Sequence, residues 1–535
     1  MALYCMHTRG LSQRPSTPFQ AIRAVTSLLP RVMAAIAFIW AVPLSAATPL
    51  PRSSPESQGV SSEALLSLVE SAETELDALH SLMIVRNGRV IAEGWWAPYA
   101  PHEPHMLFSL SKSFTSTGIG LAAAEGKLSI DDLVLPYFPS EAPAQPSENL
   151  KAMRIRDLLM MSTGHHADAI SQFPYASDAS LVRTFLALPV AHKPGTAFLY
   201  NTPASYMLSA ILQKATGEKL VDYLRPRLFE PLGIDPPRWE ESRQGICMGG
   251  YGLSATTEDI ARFGQLYLQE GQWNGRQILS ADWVRAATSR QTSNGSSPSS
   301  DWEQGYGFQF WRCRHGFYRG DGAHGQYCIV MPEQRVVIAV TAGTRNLPSV
   351  LNFLWDRCVP LLHSQALPEN ATARQSLMQK LSRLTLATPQ GNAAPPKAMA
   401  EFAGKRFAFP PDSLLTAGGV TQQAHSQPIE AVAFEAADDG KGTQLTLTLA
   451  GKVYHSSIRP NHWEPAFPAG ASSPTPAAVS GAWSNDNTLV LKFVYFQTPF
   501  TTTYTLVFSG NQARVTFVEH LGTNGRTPRQ FTAEN

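Results

Sequence analysis

The sequence predicts an α+β protein: one antiparallel sheet flanked by helices, then a C-terminal all-β barrel or sandwich domain. An early hairpin signal, Leu82 to Val85 and Val90 to Trp96 around Asn87-Gly88, stands at one end of a helix-rich segment. Two strands, Gln326 to Met331 and Arg335 to Thr341, stand at its other end. Strands at both ends with helices between imply that the segment's ends meet in one sheet. Beyond residue 397 nearly every regular stretch alternates as strand, as where Leu445, Leu447 and Leu449 are separated by Thr446 and Thr448.

At 535 residues the chain is long enough for two or three domains. With 43% hydrophobic and 16% charged residues it is a folding, not a disordered, chain. The 43 basic against 42 acidic residues leave a net charge of +1, which excludes a broad basic face for nucleic acid or an anionic membrane. Arg31, the apolar run Val32 to Val42 and Ser45-Ala46-Ala47 have the layout of a secretory signal. Residues 1–47 are expected to be removed after Ala47, leaving a periplasmic or secreted protein; an uncleaved anchor is the other reading of that run. The run is too short for a stable transmembrane helix, so no span is expected after cleavage. Cys247, Cys313, Cys328 and Cys358 are too thinly spread for a disulfide scaffold, though an oxidising compartment allows one bridge. No Cys or His spacing reads as a zinc site, and no metal or cofactor is expected.

In chain order, a helix is expected over Ser62 to Leu79, then the hairpin, then a helix opened by Phe108-Ser109-Leu110-Ser111-Lys112-Ser113-Phe114. Its continuation from Thr117 to Ala124 is uncharged, the mark of a helix buried on every side. Gly126 ends it. A short helix, Ile155 to Met161, stops at Ser162-Thr163-Gly164. The loop Pro194 to Pro203 leads into a helix, Ser205 to Lys214. The Gly-rich loop Gly249 to Leu253 leads through an N-cap at Thr256-Thr257-Glu258-Asp259 into Ile260 to Leu268. A helix-rich first domain is thus expected over 48–366, a helix and Ala/Pro-rich linker over 367–396, and the β-rich domain over 397–535.

Ser109 and Lys112 stand at i and i+3, on one helix face. An ammonium at the head of a buried helix is poorly solvated, so its pKa should fall and suit it to take the serine proton. Ser-x-x-Lys alone is common by chance; the order of further motifs gives it weight.

Those motifs resemble the serine β-lactamase and penicillin-binding-protein superfamily, most closely the class C-like branch of esterases, D-amino-acid peptidases and nylon-oligomer hydrolases. The resemblance covers residues 53 to 362. Ser109 and Lys112 meet the first motif in full. The second, Tyr-x-Asn, is met in part by Tyr200, followed by Asn201 and Thr202. The third, Lys-Thr-Gly or His-x-Gly, finds its best overlay at Gly320-Asp321-Gly322-Ala323, which keeps the glycine and loses the cation. Pro231-Leu232-Gly233-Ile234 and the Gly249 loop are further branch-like frames.

The resemblance implies a serine hydrolase whose partner is a small ester or amide and whose nucleophile, Ser109, forms an acyl-enzyme. Lys112 and Tyr200 would share the acid and base work, the ammonium pulling the phenol's pKa down. Two backbone N–H groups, of Ser109 and Ala323 beside Gly322, would form the oxyanion hole, with Gly325 or Gln326 in another register. Asn201 or Thr202 would bind the substrate carbonyl or steady Lys112. His324 is a loop histidine or a substrate contact, and His165 and His166 are polar loop residues near the cleft. The lost cation argues against efficient penicillin hydrolysis and toward neutral esters or amides. A peptidoglycan D,D-peptidase or β-lactamase, and a non-catalytic envelope binding protein, are the competing readings.

Overall fold

A computed structural model describes residues 48–535 except 174–176, 236, 411–428, 439, 441, 450, 468–475 and 522–527. The expected targeting segment lies outside the described residues. Among them, no helix is long and apolar enough to cross a membrane.

The Asn87-Gly88 turn, with both residues at positive φ, joins β1 (Leu79–Arg86) to β2 (Arg89–Trp95). The late strands are β3 (Trp311–Arg312), β4 (Tyr318–Gly322), β5 (Gln326–Met331) and β6 (Val336–Ala342). They form a six-stranded antiparallel sheet in the order β2-β1-β6-β5-β4-β3. The first strand pairs with the last, Ile84 opposite Ile338, so the segment's ends do meet at the sheet's centre.

The sheet is covered on both faces, and side-chain alternation sorts its residues. Met83, Val85, Cys328, Val330, Val337 and Ala339 enter one core. Their neighbours Leu82, Ile84, Ile329, Met331, Ile338 and Val340 enter the other. The second core is roofed by α1 (Ser62–Glu75), whose Leu65, Leu68 and Val69 are buried in it. This helix stops short of Leu79 because Leu79 pairs with Ala342 as the first residue of β1.

The first core holds α2 (Ser111–Ala124), α3 (Thr202–Thr216) and α4 (Thr257–Leu268). Every residue of α2 from Ser111 to Ala122 is buried, which explains its uncharged sequence. A reciprocal capping box, Thr256 with Asp259, starts α4.

Helix α5 (Ala371–Leu381) opens the stretch expected as helix and linker, and beyond it the chain becomes extended. Leu384 O accepts from Ala97 N and Leu386 N donates to Ala97 O, both at 2.9 Å. The Ala/Pro-rich stretch then reaches the second domain, where Asn392 pairs with Trp483.

That domain is a ten-stranded antiparallel sheet curled into a nearly closed barrel. Its strands are β7 (Phe407–Ala408), β8 (Ile429–Ala436), β9 (Thr443–Leu449), β10 (Lys452–Ile458) and β11 (Glu464–Phe467). The remainder are β12 (Ala477–Asn485), β13 (Thr488–Val494), β14 (Thr501–Ser509), β15 (Gln512–Glu519) and β16 (Arg529–Glu534). Their order is β10-β9-β8-β7-β16-β15-β14-β13-β12-β11. The end strands approach where Ser456 Oγ donates to Pro465 O at 2.7 Å. Inside are Phe434, Leu447, Trp483, Leu491, Leu506 and Phe508.

Candidate active site

Ser109 sits in a 3-10 turn, Phe108–Leu110, that runs straight into α2, and is itself half-buried. Lys112, one turn on, is buried, and its Nζ donates to Ser109 Oγ at 2.9 Å. The same ammonium donates to Gly250 O at 2.7 Å and lies 3.4 Å from Thr202 Oγ1. Burial brings its pKa down to about 7, against the opposing pull of Asp168 and Asp321.

Tyr200 completes the group: its ring centroid lies 4.9 Å from Lys112 Nζ, and the nearby Ser109 hydroxyl acts to lower the phenol's pKa. The expected fall in its pKa is corrected here. Burial pushes the phenol above its ordinary range and outweighs the opposing influence of Ser109. An amine that is about half neutral at pH 7 also has less charge than a full ammonium with which to stabilise a phenolate. Trp311 stacks on Tyr200 with centroids 5.4 Å apart, and Tyr306 meets it edge-on.

Asn201 and Thr202, left as alternatives by the sequence, separate cleanly. Thr202 turns to Lys112, whereas Asn201 Nδ2 points to Thr163 Oγ1 at 3.5 Å and His165 Nδ1 at 3.4 Å. Asn201 gives no side-chain cap to α3. Asp168 replaces it, accepting from Thr202 N at 3.2 Å and Ile170 N at 3.1 Å. His165 is buried against Phe185, which lowers its pKa to about 4, and His166 is exposed.

Two glycine contacts shape the floor. A Cβ on Gly250 would stand 2.8 Å from Thr202 Cγ2 and 2.9 Å from Thr202 O, so only glycine brings that carbonyl to Lys112. The sequence marks this loop as glycine-rich but gives no sign that a carbonyl is its working part. On β4 a Cβ at Gly320 would overlap the ends of the Leu110 and Ser113 side chains, so any side chain there would displace both. The adjacent cation, Arg319, is fully buried on the other face of the strand. Its Nε donates to Asp321 Oδ2 at 2.8 Å, and its Nη1 donates to Asp301 O at 2.8 Å and to Cys313 Sγ at 3.1 Å.

Gly322 presses on Leu107 O, which brings the 322–326 turn against the chain two residues before Ser109. In that turn Ala323 is half-buried and its carbonyl accepts from Gln326 Nε2 at 3.0 Å. His324 lays its ring edge-on to Phe108, with centroids 5.2 Å apart. Cys247, Cys313, Cys328 and Cys358 are all buried and unbridged.

A hydroxyl, an amine about half neutral at pH 7 and a protonated phenol gathered around Lys112 Nζ can pass a proton and form an acyl-enzyme. The family model described as Beta-lactamase matches residues 74–352, just over half of the chain. The chain belongs to the β-lactamase family. With that membership it is a serine hydrolase acting on ester or amide bonds. Among curated relatives, this β-lactamase-family chain is 26% identical over 287 residues to the 6-aminohexanoate-dimer hydrolase of Paenarthrobacter ureafaciens, covering 50% of this chain and 72% of that protein. It is 26% identical over 214 residues to a "Putative D-alanyl-D-alanine carboxypeptidase" of Escherichia coli O157:H7, 35% of this chain and 49% of that one. A solved structure described as "Putative 6-aminohexanoate-dimer hydrolase from Bacillus anthracis" shares the fold, with TM-score 0.50 and 21% identity over 61% of this chain and 90% of that chain.

Proposed function

We propose that this β-lactamase-family member is an exported hydrolase that cleaves neutral ester or amide substrates through an acyl-enzyme on Ser109. The observation that carries this reading is the 2.9 Å contact between Ser109 Oγ and an amine whose pKa is about 7. The neutral Lys112 amine takes the Ser109 proton as Oγ attacks the carbonyl carbon. The carbonyl π electrons move to oxygen, which is held by the N–H groups of Ser109 and Ala323. Collapse of the tetrahedral intermediate breaks the ester or amide bond. The Tyr200 hydroxyl, still protonated, hands its proton to the leaving oxygen or nitrogen and recovers one from the Lys112 ammonium. Water then attacks the acyl-enzyme by the same steps in reverse order. Thr202 and the Gly250 carbonyl hold Lys112 at its post.

The site's electrostatics support a neutral acyl portion. Gly320 offers no cation to a substrate carboxylate, and Arg319 is engaged with Asp321. Export rests on the charge and apolar pattern of residues 31–47, and is tested by fractionation and N-terminal sequencing of the mature chain.

The test of the reaction is a p-nitrophenyl ester assay beside mass spectrometry of fluorophosphonate-treated protein. Wild type is expected to gain one adduct on Ser109, and Ser109→Ala to lose both adduct and turnover. Equal turnover by the two proteins would refute the proposal. Nitrocefin included as a substrate distinguishes the peptidase or β-lactamase reading, which predicts rapid hydrolysis or a stable penicillin adduct.

A further inference from the structure

We infer that Phe500, on the C-terminal barrel, is a positioning residue for the oxyanion hole, so that the barrel forms part of the catalytic apparatus. This rests on the reading of Ser109 as nucleophile and of the Ser109 and Ala323 N–H groups as oxyanion donors.

The two donors share an unusual neighbourhood. Phe108, immediately before Ser109, has φ +49°, and His324, immediately after Ala323, has φ +66°. Left-handed backbone at bulky residues is disfavoured and persists only where surrounding contacts impose it. Both residues meet the barrel. The rings of Phe108 and His324 meet edge-on at 5.2 Å, and Phe500 closes the triangle at 6.3 Å from Phe108 and 6.0 Å from His324. One side chain thus touches both residues that flank the donors.

Ser109 is strung between two cores. Leu107 and Leu110 are buried in the core of the hydrolytic domain. Phe108 is buried in the barrel's core, and Ala323 packs against that same cluster.

The loop carrying Phe500 is anchored where it docks. Gln497 O accepts from Met106 N at 2.9 Å, and Thr498 O accepts from Tyr99 OH at 2.9 Å. Gln497 Nε2 donates to Glu103 Oε2 at 2.8 Å, and Thr498 Oγ1 accepts from Phe500 N at 3.1 Å. A loop fixed at this many points can transmit the barrel's position to the turn that carries Ser109. Removing the Phe500 ring frees Phe108 and His324 to relax, which moves two amides that must converge on one oxygen.

The experiment compares Phe500→Ala and Phe500→Leu with Phe434→Leu, a barrel-core change that touches neither Phe108 nor His324. Each full-length variant is assayed well below its own melting temperature with p-nitrophenyl butyrate. Inhibition by phenylboronic acid, whose tetrahedral serine adduct places an oxygen in the hole, is measured alongside. Misplaced oxyanion donors are expected to lower kcat of Phe500→Ala by roughly thirtyfold and weaken phenylboronic acid by a similar factor. KM should stay within about twofold, as ground-state binding is untouched. Phe500→Leu, which keeps bulk beside Phe108, should recover most of the loss, and Phe434→Leu should match wild type. Unchanged kcat and boronate affinity in Phe500→Ala, or an equal loss in Phe434→Leu, would overturn the inference. If Phe500→Ala does not fold, Phe500→Leu against Phe434→Leu decides: a severalfold lower kcat supports it, and equal values refute it. Wild type is labelled with fluorophosphonate in parallel. Labelled wild type with an unaffected Phe500→Ala refutes this inference alone, whereas unlabelled wild type refutes the nucleophile assignment and this inference with it.

Discussion

Lys112 and Arg319 are two buried cations on elements that meet at one cleft, and they behave in opposite ways. Lys112 has no carboxylate in contact; its partners are two hydroxyls and a carbonyl, and burial brings it to about 7. Burial also works against the Arg319 charge, but Cys313 and Asp321 beside it more than compensate and hold it above its ordinary range. A counter-ion in direct contact turns a buried cation into a strut, while neutral acceptors leave it ready to take a proton.

Exchanging the roles should break this comparison most severely. Lys112→Arg keeps a cation but removes a base that can be neutral, and acylation is expected to fall by roughly a thousandfold. Stopped-flow burst measurements with a p-nitrophenyl ester check this, and a loss below about tenfold would contradict it.

Removing the counter-ion attacks the other member. Asp321→Asn leaves the Arg319 guanidinium buried without its anion and is expected to cost about 3 kcal/mol of stability. Urea unfolding measures that loss. Because Asp321 also raises the Lys112 pKa, surviving activity in this variant should have its pH midpoint shifted downward. An unchanged melting curve would mean the pair is no strut.

The smallest effect is the pH profile of the wild type. Below pH 7 Lys112 is protonated and cannot act as base, so kcat/KM should rise through a midpoint of about 7 and level off above it. About a tenfold fall is expected for each unit below the midpoint. The linkage has the same sign. The folded pKa lies below the ordinary 10.5, so the unfolded chain binds the extra proton between the two values, and this group favours folding increasingly as pH rises through that window.

The two cations also differ in how plainly the sequence declares them. Ser109 and Lys112 lie one helical turn apart, so local spacing and an uncharged helix were enough to pair them and to foresee the depressed amine. Tyr200 is legible only through its surrounding frame, and its titration is not, because the burial that raises the phenol leaves no local trace in the sequence. The Gly250 carbonyl and the Asp168 cap left no such trace: a backbone oxygen has no residue type, and the cap is supplied from outside the helix it serves. On β4 the loss of a cation at Gly320 was visible, but the burial of Arg319 against Asp321 depends on which face of the strand each residue takes. The early hairpin and late strands fixed the sheet's closure, while Phe500, some 390 residues from Ser109, could be connected to it only by three-dimensional packing.

The wiring of the central sheet has a consequence for biogenesis. Because β1 pairs with β6, a partly synthesised chain lacks the completed sheet against which α2 and the turn holding Ser109 pack. The order of the chain itself postpones completion of the cleft until β4, β5 and β6 have been made.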